Sequence, residues 1–211
     1  VIEKSNQPAP TVQNVAPVLK DLSENYDERL CVLIRVISTT GARFGEAILL
    51  KPNKIINGEF KIFEAADRHF NIHKTKSANL RKDGNGIRYV PLSPRLLEAL
   101  RHLQEKHNVG DDDWFFEGKF SKRQAHPLPN SKWLREELIY KICDSHNVEH
   151  IGFKGFRRFF ATTLKNVVKA DDKEIQQRLG HKSGDTTDGY ITHQDPRGEE
   201  HAVAIESAVI N

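Results

Sequence analysis

The chain has 211 residues, of which 37% are hydrophobic and 29% are charged, a composition typical of a globular domain with one substantial core. Its formal net charge of +3 is too small to indicate a nucleic-acid-binding protein by itself. The sequence holds no apolar run long enough to cross a bilayer and does not begin with a signal peptide. We therefore expect a cytoplasmic protein with no membrane partner.

Several minor features limit the possible chemistry. Cys31 and Cys143 lie in apolar, helix-like segments without the spacing of metal ligands, so we predict reduced core residues rather than a disulfide. Residues 111–113 are all aspartate, but a solvated loop explains this run as well as a cation site does. The chain begins with Val1 and contains no Met, which favours a part of a longer protein.

Positive charge is concentrated in two parts of the sequence, residues 74–95 and residues 119–182. Both stretches are consistent with solvated surfaces. If they face the same way, the phosphate backbone of a nucleic acid is the natural partner. Charge alone does not choose between these interpretations.

The first third of the chain is predicted to be a linker followed by helices. Residues 1–18 contain three prolines among small polar residues, which is typical of a linker. From Glu28 the apolar residues recur at helical spacing, and Gly41 then offers a break before a short helix that runs to Leu50. The apolar face of the helix from Glu28 consists of Leu30, Leu33, Ile34 and Ile37.

Residues 54–91 change to short β-like runs at 60–63, 70–73 and 87–91. They predict a small antiparallel sheet of three strands, with a basic hairpin between the last two. Ser93 and Pro94 then begin a helix with a leucine stripe, and the chain after residue 116 is helical nearly to its end. The fold class is therefore α+β, mostly helical with a small antiparallel three-stranded sheet.

Three motifs carry the functional information: TGARFGE at residues 40–46, FKGFRRFFAT at 153–162 and LGHKSGDTTDGY at 179–190. Together, in this order and spacing, the chain resembles the tyrosine recombinases, the family of phage integrases and Xer-type recombinases. The resemblance covers about residues 20–195. The third motif is the most specific, because Leu-Gly-His is followed nine residues later by Tyr with two threonines between.

The resemblance implies a phosphate site built from Arg43 and Arg157, which match the two catalytic arginines of the family. Two guanidinium groups can hold the non-bridging oxygens of a phosphate as charge builds up in the transition state. Glu46, three residues after Arg43, is positioned to orient that arginine when DNA is absent.

The third motif supplies the remaining groups that the resemblance implies. His181 resembles the histidine that donates a hydrogen bond to the phosphate, and Tyr190 resembles the nucleophile. Because a phenol has a pKa near 10, Tyr190 needs a base or a positive field in order to attack at neutral pH.

Lysines supply the proton transfers in this comparison. The family uses a lysine on the sheet's hairpin as general acid, and both Lys74 and Lys76 match it, with Lys74 preferred because Thr75 follows it. Lys154 stands where the family most often has histidine, three residues before Arg157. A lysine can donate to a phosphate oxygen there, but it is a poorer base for Tyr190, so the identity of the base stays open.

The resemblance also implies the partners. A covalent phosphotyrosyl link conserves the energy of the phosphodiester bond, so the reaction needs no metal, nucleotide or other cofactor. The partner is double-stranded DNA, on which the family assembles cyclic tetramers, and the free protein is expected to be a monomer. The function implied is site-specific recombination or integration for a mobile element or phage.

Two other functions remain open. A telomere resolvase or type IB topoisomerase would share the chemistry, although the spacing from Leu-Gly-His to Tyr190 favours a recombinase. A DNA-binding protein without catalysis would not need the complete set of Arg43, Arg157, His181 and Tyr190.

The predicted organisation has three parts: a linker from a missing N-terminal DNA-binding domain at 1–18, the catalytic domain at 19–195 and a tail helix at 196–211. Ala202, Ile205 and Val209 share one face of that tail helix. The tail either packs on its own domain or, as in the family, is exchanged between protomers.

Overall fold

The computed structural model describes residues 8–75, 87–122, 125–180 and 198–209. The helices of these residues are α1 (Val12–Asn25), α2 (Glu28–Thr40), α3 (Phe44–Ala47), α4 (Pro94–His107), α5 (Ser131–Trp133), α6 (Tyr140–Ser145), α7 (Phe153–Asn166), α8 (Asp172–Leu179) and α9 (Gly198–Val209). A π-helical segment, Leu134–Ile139, joins α5 to α6, and a 3-10 turn covers Pro52–Lys54. The strands are β1 (Ile55–Ile56), β2 (Glu59–Ile62), β3 (Glu64–Ala66), β4 (Ile72–Lys74) and β5 (Arg88–Pro91).

Helix α2 lies at the centre of the core, in contact with α1, α4, α7 and α9. Its predicted apolar face is confirmed, because all four residues of that face are buried. The Asp27 side chain accepts a hydrogen bond from the Arg29 main chain at the start of the helix. At its end Gly41 adopts a left-handed conformation, with φ at 66°, which glycine accepts without steric cost.

The linker predicted for residues 1–18 requires a correction, because residues 12–18 belong to helix α1. Pro17 lies inside this helix and cannot donate to the carbonyl of Gln13. The helix forms nevertheless because its apolar stripe is buried against the rest of the core, and burial of several large side chains outweighs one lost hydrogen bond. The buried residues of the stripe are Val15, Val18, Leu19 and Leu22.

The predicted antiparallel three-stranded sheet is present, but the strand predicted at residues 70–73 does not belong to it. The three strands are β1, β2 and β5 in that order, so that Phe60 lies opposite Val90. The chain near Phe70 instead pairs back on itself, forming a two-stranded ribbon of β3 and β4. The reason is local: the Asp67 carboxylate accepts the main-chain N–H groups of His69 and Asn71, which closes a tight turn directly after β3. The predicted basic hairpin falls largely on residues 76–86, outside the described residues.

The helices of the second half follow the predicted pattern. Ser93 caps α4 by accepting a hydrogen bond from the Leu96 main chain. In α7 the residues Phe156, Phe160 and Leu164 form a buried stripe, whereas Val167, just past the last helical residue, is 57% exposed. Asp171 and Glu174 cap α8 reciprocally, each side chain accepting a hydrogen bond from the other residue's main chain.

Helix α9 packs on its own domain in this chain. Ala202 and Ile205 are buried, as predicted, and α9 contacts α1, α2, α7 and β5. Glu206 is also buried, and its carboxylate accepts hydrogen bonds from Arg35 of α2 and from Ser93. Exchange of the tail between protomers stays a prediction.

The prediction of reduced core cysteines is confirmed, because Cys31 and Cys143 are buried free thiols. Within residues 8–75, 87–122, 125–180 and 198–209, no helix has the length and apolar character needed to span a bilayer. In the acidic loop of residues 111–113, side chains bond within the protein, since Asp112 accepts from Asn53 and Asp113 from the Gly110 main chain.

Candidate active site

Arg43 is the N-cap residue of α3 and lies two residues after the left-handed Gly41. Its main-chain N–H donates to Glu46 Oε2 at 2.7 Å, and its Nη1 donates to Glu46 Oε1 at 2.9 Å. The predicted contact between these two residues is therefore present. The Glu46 side chain is 1% exposed while that of Arg43 is 41% exposed, so the arginine is held at its base and reaches toward solvent.

Arg157 lies in the second turn of α7 and joins two other helix ends. Its Nη1 donates to the carbonyl of Gly41, and its Nη2 donates to the carbonyl of Leu179, the last residue of α8. One of these acceptors is two residues from Arg43, and the other directly precedes the Gly-His pair of the third motif. Arg157 thus connects the parts of the chain that carry the three motifs.

An aromatic contact brings the first two motifs together. The rings of Phe44 and Phe153 lie 4.3 Å apart between their centroids, linking α3 to the start of α7. Each ring belongs to a residue next to a predicted site residue, Arg43 in one case and Lys154 in the other. Lys154 itself is exposed at the start of α7.

The site is strongly cationic. Burial and, to a smaller extent, the positive charges of Arg43 and Arg88 lower the pKa of the Arg157 guanidinium to about 9, against the opposing effect of Glu46. This pKa still leaves Arg157 charged at neutral pH. A bound anion would relieve the repulsion among the three arginines, so the arrangement is suited to holding a phosphate.

The predicted general acid, Lys74, is the last residue of β4 and is exposed. Buried Thr75 follows it and donates its main-chain N–H to the Phe63 carbonyl at 3.0 Å, which anchors the end of the ribbon. Lys76, His181 and Tyr190 lie outside the described residues. The choice between Lys74 and Lys76 and the roles of His181 and Tyr190 therefore stay predictions.

Gly45 sets the distance between α3 and the ribbon that ends at Lys74. A Cβ atom on Gly45 would lie 2.2 Å from the Ala66 carbonyl oxygen of β3, far closer than van der Waals contact. Only glycine allows this approach, because the obstructing atom belongs to the backbone. The sequence offered a glycine here without showing which element it had to approach.

We expect Gly45→Ala to move the ribbon away from α3 and to lower the free energy of unfolding by about 1–3 kcal/mol, the usual cost of overpacking. The variant should still fold, as measured by thermal denaturation. Gly152→Ala is the matched control, because a Cβ there would meet its nearest atom, the Tyr140 hydroxyl, at an ordinary 3.5 Å. Equal stability of the two variants would contradict the close approach as the cause.

Arg88 also lies in the candidate site, although none of the three motifs contains it. It contacts both oxygens of Glu46 from strand β5, with Nη1 to Oε1 at 3.1 Å and Nη2 to Oε2 at 2.6 Å. A signal for it exists: Arg88 shares the inward face of its strand with buried Val90, where an arginine must have a partner.

Metal ligands are not assembled by this part of the chain. Among residues 8–75, 87–122, 125–180 and 198–209, no group of three or more histidine, cysteine, aspartate or glutamate side chains could hold a metal ion.

Known proteins similar in sequence include integrases and recombinases. The family model described as the phage integrase family matches residues 12–197. The "Prophage ps2 probable integrase" of Lactococcus lactis subsp. lactis (strain IL1403) is 30% identical over 189 residues, covering 82% of this chain and 48% of the relative. Tyrosine recombinase XerC of Rickettsia bellii (strain OSU 85-389) is 26% identical over 160 residues, covering 75% and 45%. The chain thus spans about half the length of the curated relatives it matches.

Solved structures show the same fold. The Tn1549 transposon integrase in complex with transposon right end DNA aligns with a TM-score of 0.66 and 16% identity over 87% of this chain and 61% of its own. XerA recombinase aligns with a TM-score of 0.60 and 20% identity over 85% and 57%. These neighbours confirm the predicted fold class of a mostly helical domain with a small antiparallel sheet. With its family model matching residues 12–197, and with this fold, the chain belongs to the phage integrase family.

Proposed function

We propose that this chain is the catalytic part of a site-specific recombinase or integrase that cleaves and rejoins double-stranded DNA through a 3′-phosphotyrosyl intermediate at Tyr190. The observation that carries the proposal is the convergence of Arg43 and Arg157 at the Gly41 turn. Guanidinium groups from two separate helices placed this way can hold the two non-bridging oxygens of a phosphodiester. Relatives named for a prophage and a transposon support a mobile element as the setting.

The proposed cleavage step exchanges one phosphate ester for another. The Tyr190 oxygen forms a bond to phosphorus while the bond from phosphorus to the 5′-oxygen breaks. The phenolic proton passes to solvent water, and the departing 5′-oxygen takes a proton from Lys74 or Lys76. Attack by a 5′-hydroxyl, from the same or a partner duplex, reverses these bond changes and releases the tyrosine.

The exposure of Lys154 supports a definite role for it. A lysine acts as a base only when burial favours its neutral form, and Lys154 is exposed at the start of α7. We therefore assign its ammonium group to donation toward a phosphate oxygen rather than to removal of the Tyr190 proton. In this proposal the positive field that Tyr190 needs in order to attack comes from Arg43, Arg157, His181 and Lys154.

The proposed assembly is a cyclic tetramer on two duplexes, formed from protomers that are monomeric in solution. Strand exchange needs two cleavages in each duplex, and so four nucleophiles. In this proposal the catalytic domain begins with α1 at Val12 and extends to residue 195, residues 196–211 are the tail, and a separate N-terminal DNA-binding domain would complete the grip on DNA.

The test of this function is covalent capture. The chain is mixed at low salt with a library of nicked duplexes of randomised sequence, in which cleavage near the nick releases a short fragment and prevents rejoining. We expect adducts that survive denaturation, whose DNA reveals a preferred sequence and whose peptide carries the nucleotide on Tyr190. Absence of any adduct while duplex binding persists would overturn the proposal.

A second stage separates recombination from simple strand passage. Two labelled duplexes carrying the captured sequence should exchange strands if the protein is a recombinase. Relaxation of supercoiled DNA without exchange would instead indicate an activity like that of a type IB topoisomerase.

We expect Lys74→Ala to slow adduct formation by about 100-fold, the lower range for loss of a general acid. A substrate with sulfur in place of the 5′-bridging oxygen should restore the rate, because a thiolate leaves without needing a proton. The same measurements on Lys76→Ala decide between the two lysines. Loss without sulfur rescue in the Lys74 variant would contradict its role as the acid.

A further inference from the structure

Arg88 occupies an unusual position for a charged residue. It lies at the start of β5 opposite Ile62 of β2, in the row of side chains that faces the core. Ile62 and Val90, its neighbours in that row, are each 1% exposed, and the Arg88 side chain itself is 10% exposed. A guanidinium buried this deeply is costly unless a carboxylate with good geometry compensates it.

Glu46 is that carboxylate, and its hydrogen-bonding capacity is fully used. Oε1 accepts from Nη1 of Arg43 and Nη1 of Arg88, while Oε2 accepts from the Arg43 main chain and Nη2 of Arg88. Arg88 therefore binds both oxygens through its two terminal nitrogens, whereas the Arg43 side chain reaches only one of them. Burial raises the pKa of Glu46, but the charge and hydrogen bonds of Arg88 and Arg43 outweigh burial and bring the pKa below its usual value.

Because Arg88 takes two of the hydrogen bonds to Glu46, part of the Arg43 guanidinium can bind another group. Within the portion of the chain that the structure describes, Nε and Nη2 of Arg43 donate to no protein acceptor, and the side chain is 41% exposed. If Arg88 were absent, Glu46 would have an open oxygen beside Arg43. The arginine would then close a two-point ion pair with Glu46, since a planar guanidinium favours two parallel hydrogen bonds to a carboxylate.

We propose that Arg88 is a positioning residue of the phosphate site, which holds both oxygens of Glu46 and thereby keeps one edge of the Arg43 guanidinium free to bind a DNA phosphate. The inference rests on the proposed function. It adds that the sheet contributes to the charge of the site, because Arg88 of β5 shares the buried Glu46 carboxylate with Arg43. Arg157 feels both Arg43 and Arg88, so the same residue raises the positive field at the phosphate.

The test compares Arg88→Gln, Arg88→Lys, Glu46→Gln and the double variant Glu46→Gln with Arg88→Gln. Adduct formation on a captured duplex and affinity for that duplex are both measured, with thermal denaturation of every variant. We expect Arg88→Gln to lower the adduct rate on the order of 10-fold to 100-fold, because a misplaced guanidinium no longer clamps the phosphate. Arg88→Lys, which keeps the charge with a single contact, should recover part of this loss.

The double variant gives the decisive result. A neutral amide at position 46 does not capture Arg43, so the double variant should be more active than Arg88→Gln alone. A purely structural role would make the two losses add. Lys61→Gln, which removes a half-buried positive charge from the neighbouring strand β2, should leave the rate unchanged.

Two results would overturn the inference: a wild-type rate in Arg88→Gln, or a double variant no better than that single variant. Failure of the proposed function is distinguishable, because wild-type protein would then form no adduct at all. In that case the affinity for a duplex of arbitrary sequence decides the inference. Arg43→Ala and Arg88→Gln should weaken binding alike, with recovery in the double variant, and any other pattern rejects the role of Arg88.

Discussion

Tyr190→Phe should abolish the covalent DNA adduct while leaving duplex affinity unchanged. Phenylalanine keeps the ring and its packing but lacks the oxygen that would bond to phosphorus, so no phosphotyrosyl link can form. The measurement is denaturing electrophoresis of a nicked, end-labelled duplex after incubation with the protein. The expected loss is complete, because no other step of the reaction can supply the missing bond.

Tyr26→Phe is the matched control for this experiment. Tyr26 lies at the end of α1 and is 43% exposed, so the same loss of a hydroxyl should leave adduct formation intact. An adduct that persists in Tyr190→Phe would show that another residue is the nucleophile, and peptide mapping of the adduct would then identify it.

Arg157→Ala should lower the rate of adduct formation by about 1000-fold, the upper range for removal of one preorganised donor from a transition state. The loss has two physical causes. One guanidinium of the proposed phosphate clamp is removed, and the carbonyls of Gly41 and Leu179 lose the donor that joins the ends of α2 and α8. The second effect should also reduce the free energy of unfolding by about 1–3 kcal/mol for each carbonyl left buried without a donor.

Arg157→Lys separates these causes. Lysine keeps a positive charge but cannot bridge two carbonyls and a phosphate with a planar fork, so we expect an adduct rate between those of the wild type and Arg157→Ala. Lys165→Gln on the same helix is the control, because Lys165 is exposed and pairs only at the surface with Asp172. A wild-type rate in Arg157→Lys would show that charge alone, without geometry, is sufficient at this position.

Much of the fold could be predicted because the signals are local. The apolar periodicity of α2, the break at Gly41 and the Ser93 cap of α4 each depend on residues within a few positions of one another. The sheet was harder to predict. A turn centred on Asp67 brings the strand predicted near Phe70 back against β3, so it pairs with β3 and not with the three-stranded sheet. This choice of partner depends on how the chain folds back, which local residue types do not specify.

In the candidate site, too, the features set by local residues could be predicted, and those set by distant contacts could not. Arg43, Arg157, His181 and Tyr190 could be named from motifs, since the family's spacing survives in the sequence. The Arg43 contact with Glu46 was predictable from their separation on one helical turn. The Arg88 contact with Glu46 was not predictable, because the two residues lie 42 positions apart in the chain.

The sequence by itself determined the family, the helical faces and the identities of the predicted site residues, because each depends on residue type at short spacing. Only the tertiary structure decided that Pro17 lies within a helix, that Gly45 must admit the backbone of β3, and that Arg88 shares Glu46 with Arg43. These features depend on close packing between distant segments, where burial outweighs a local preference and a charged side chain requires a partner that the chain supplies from elsewhere.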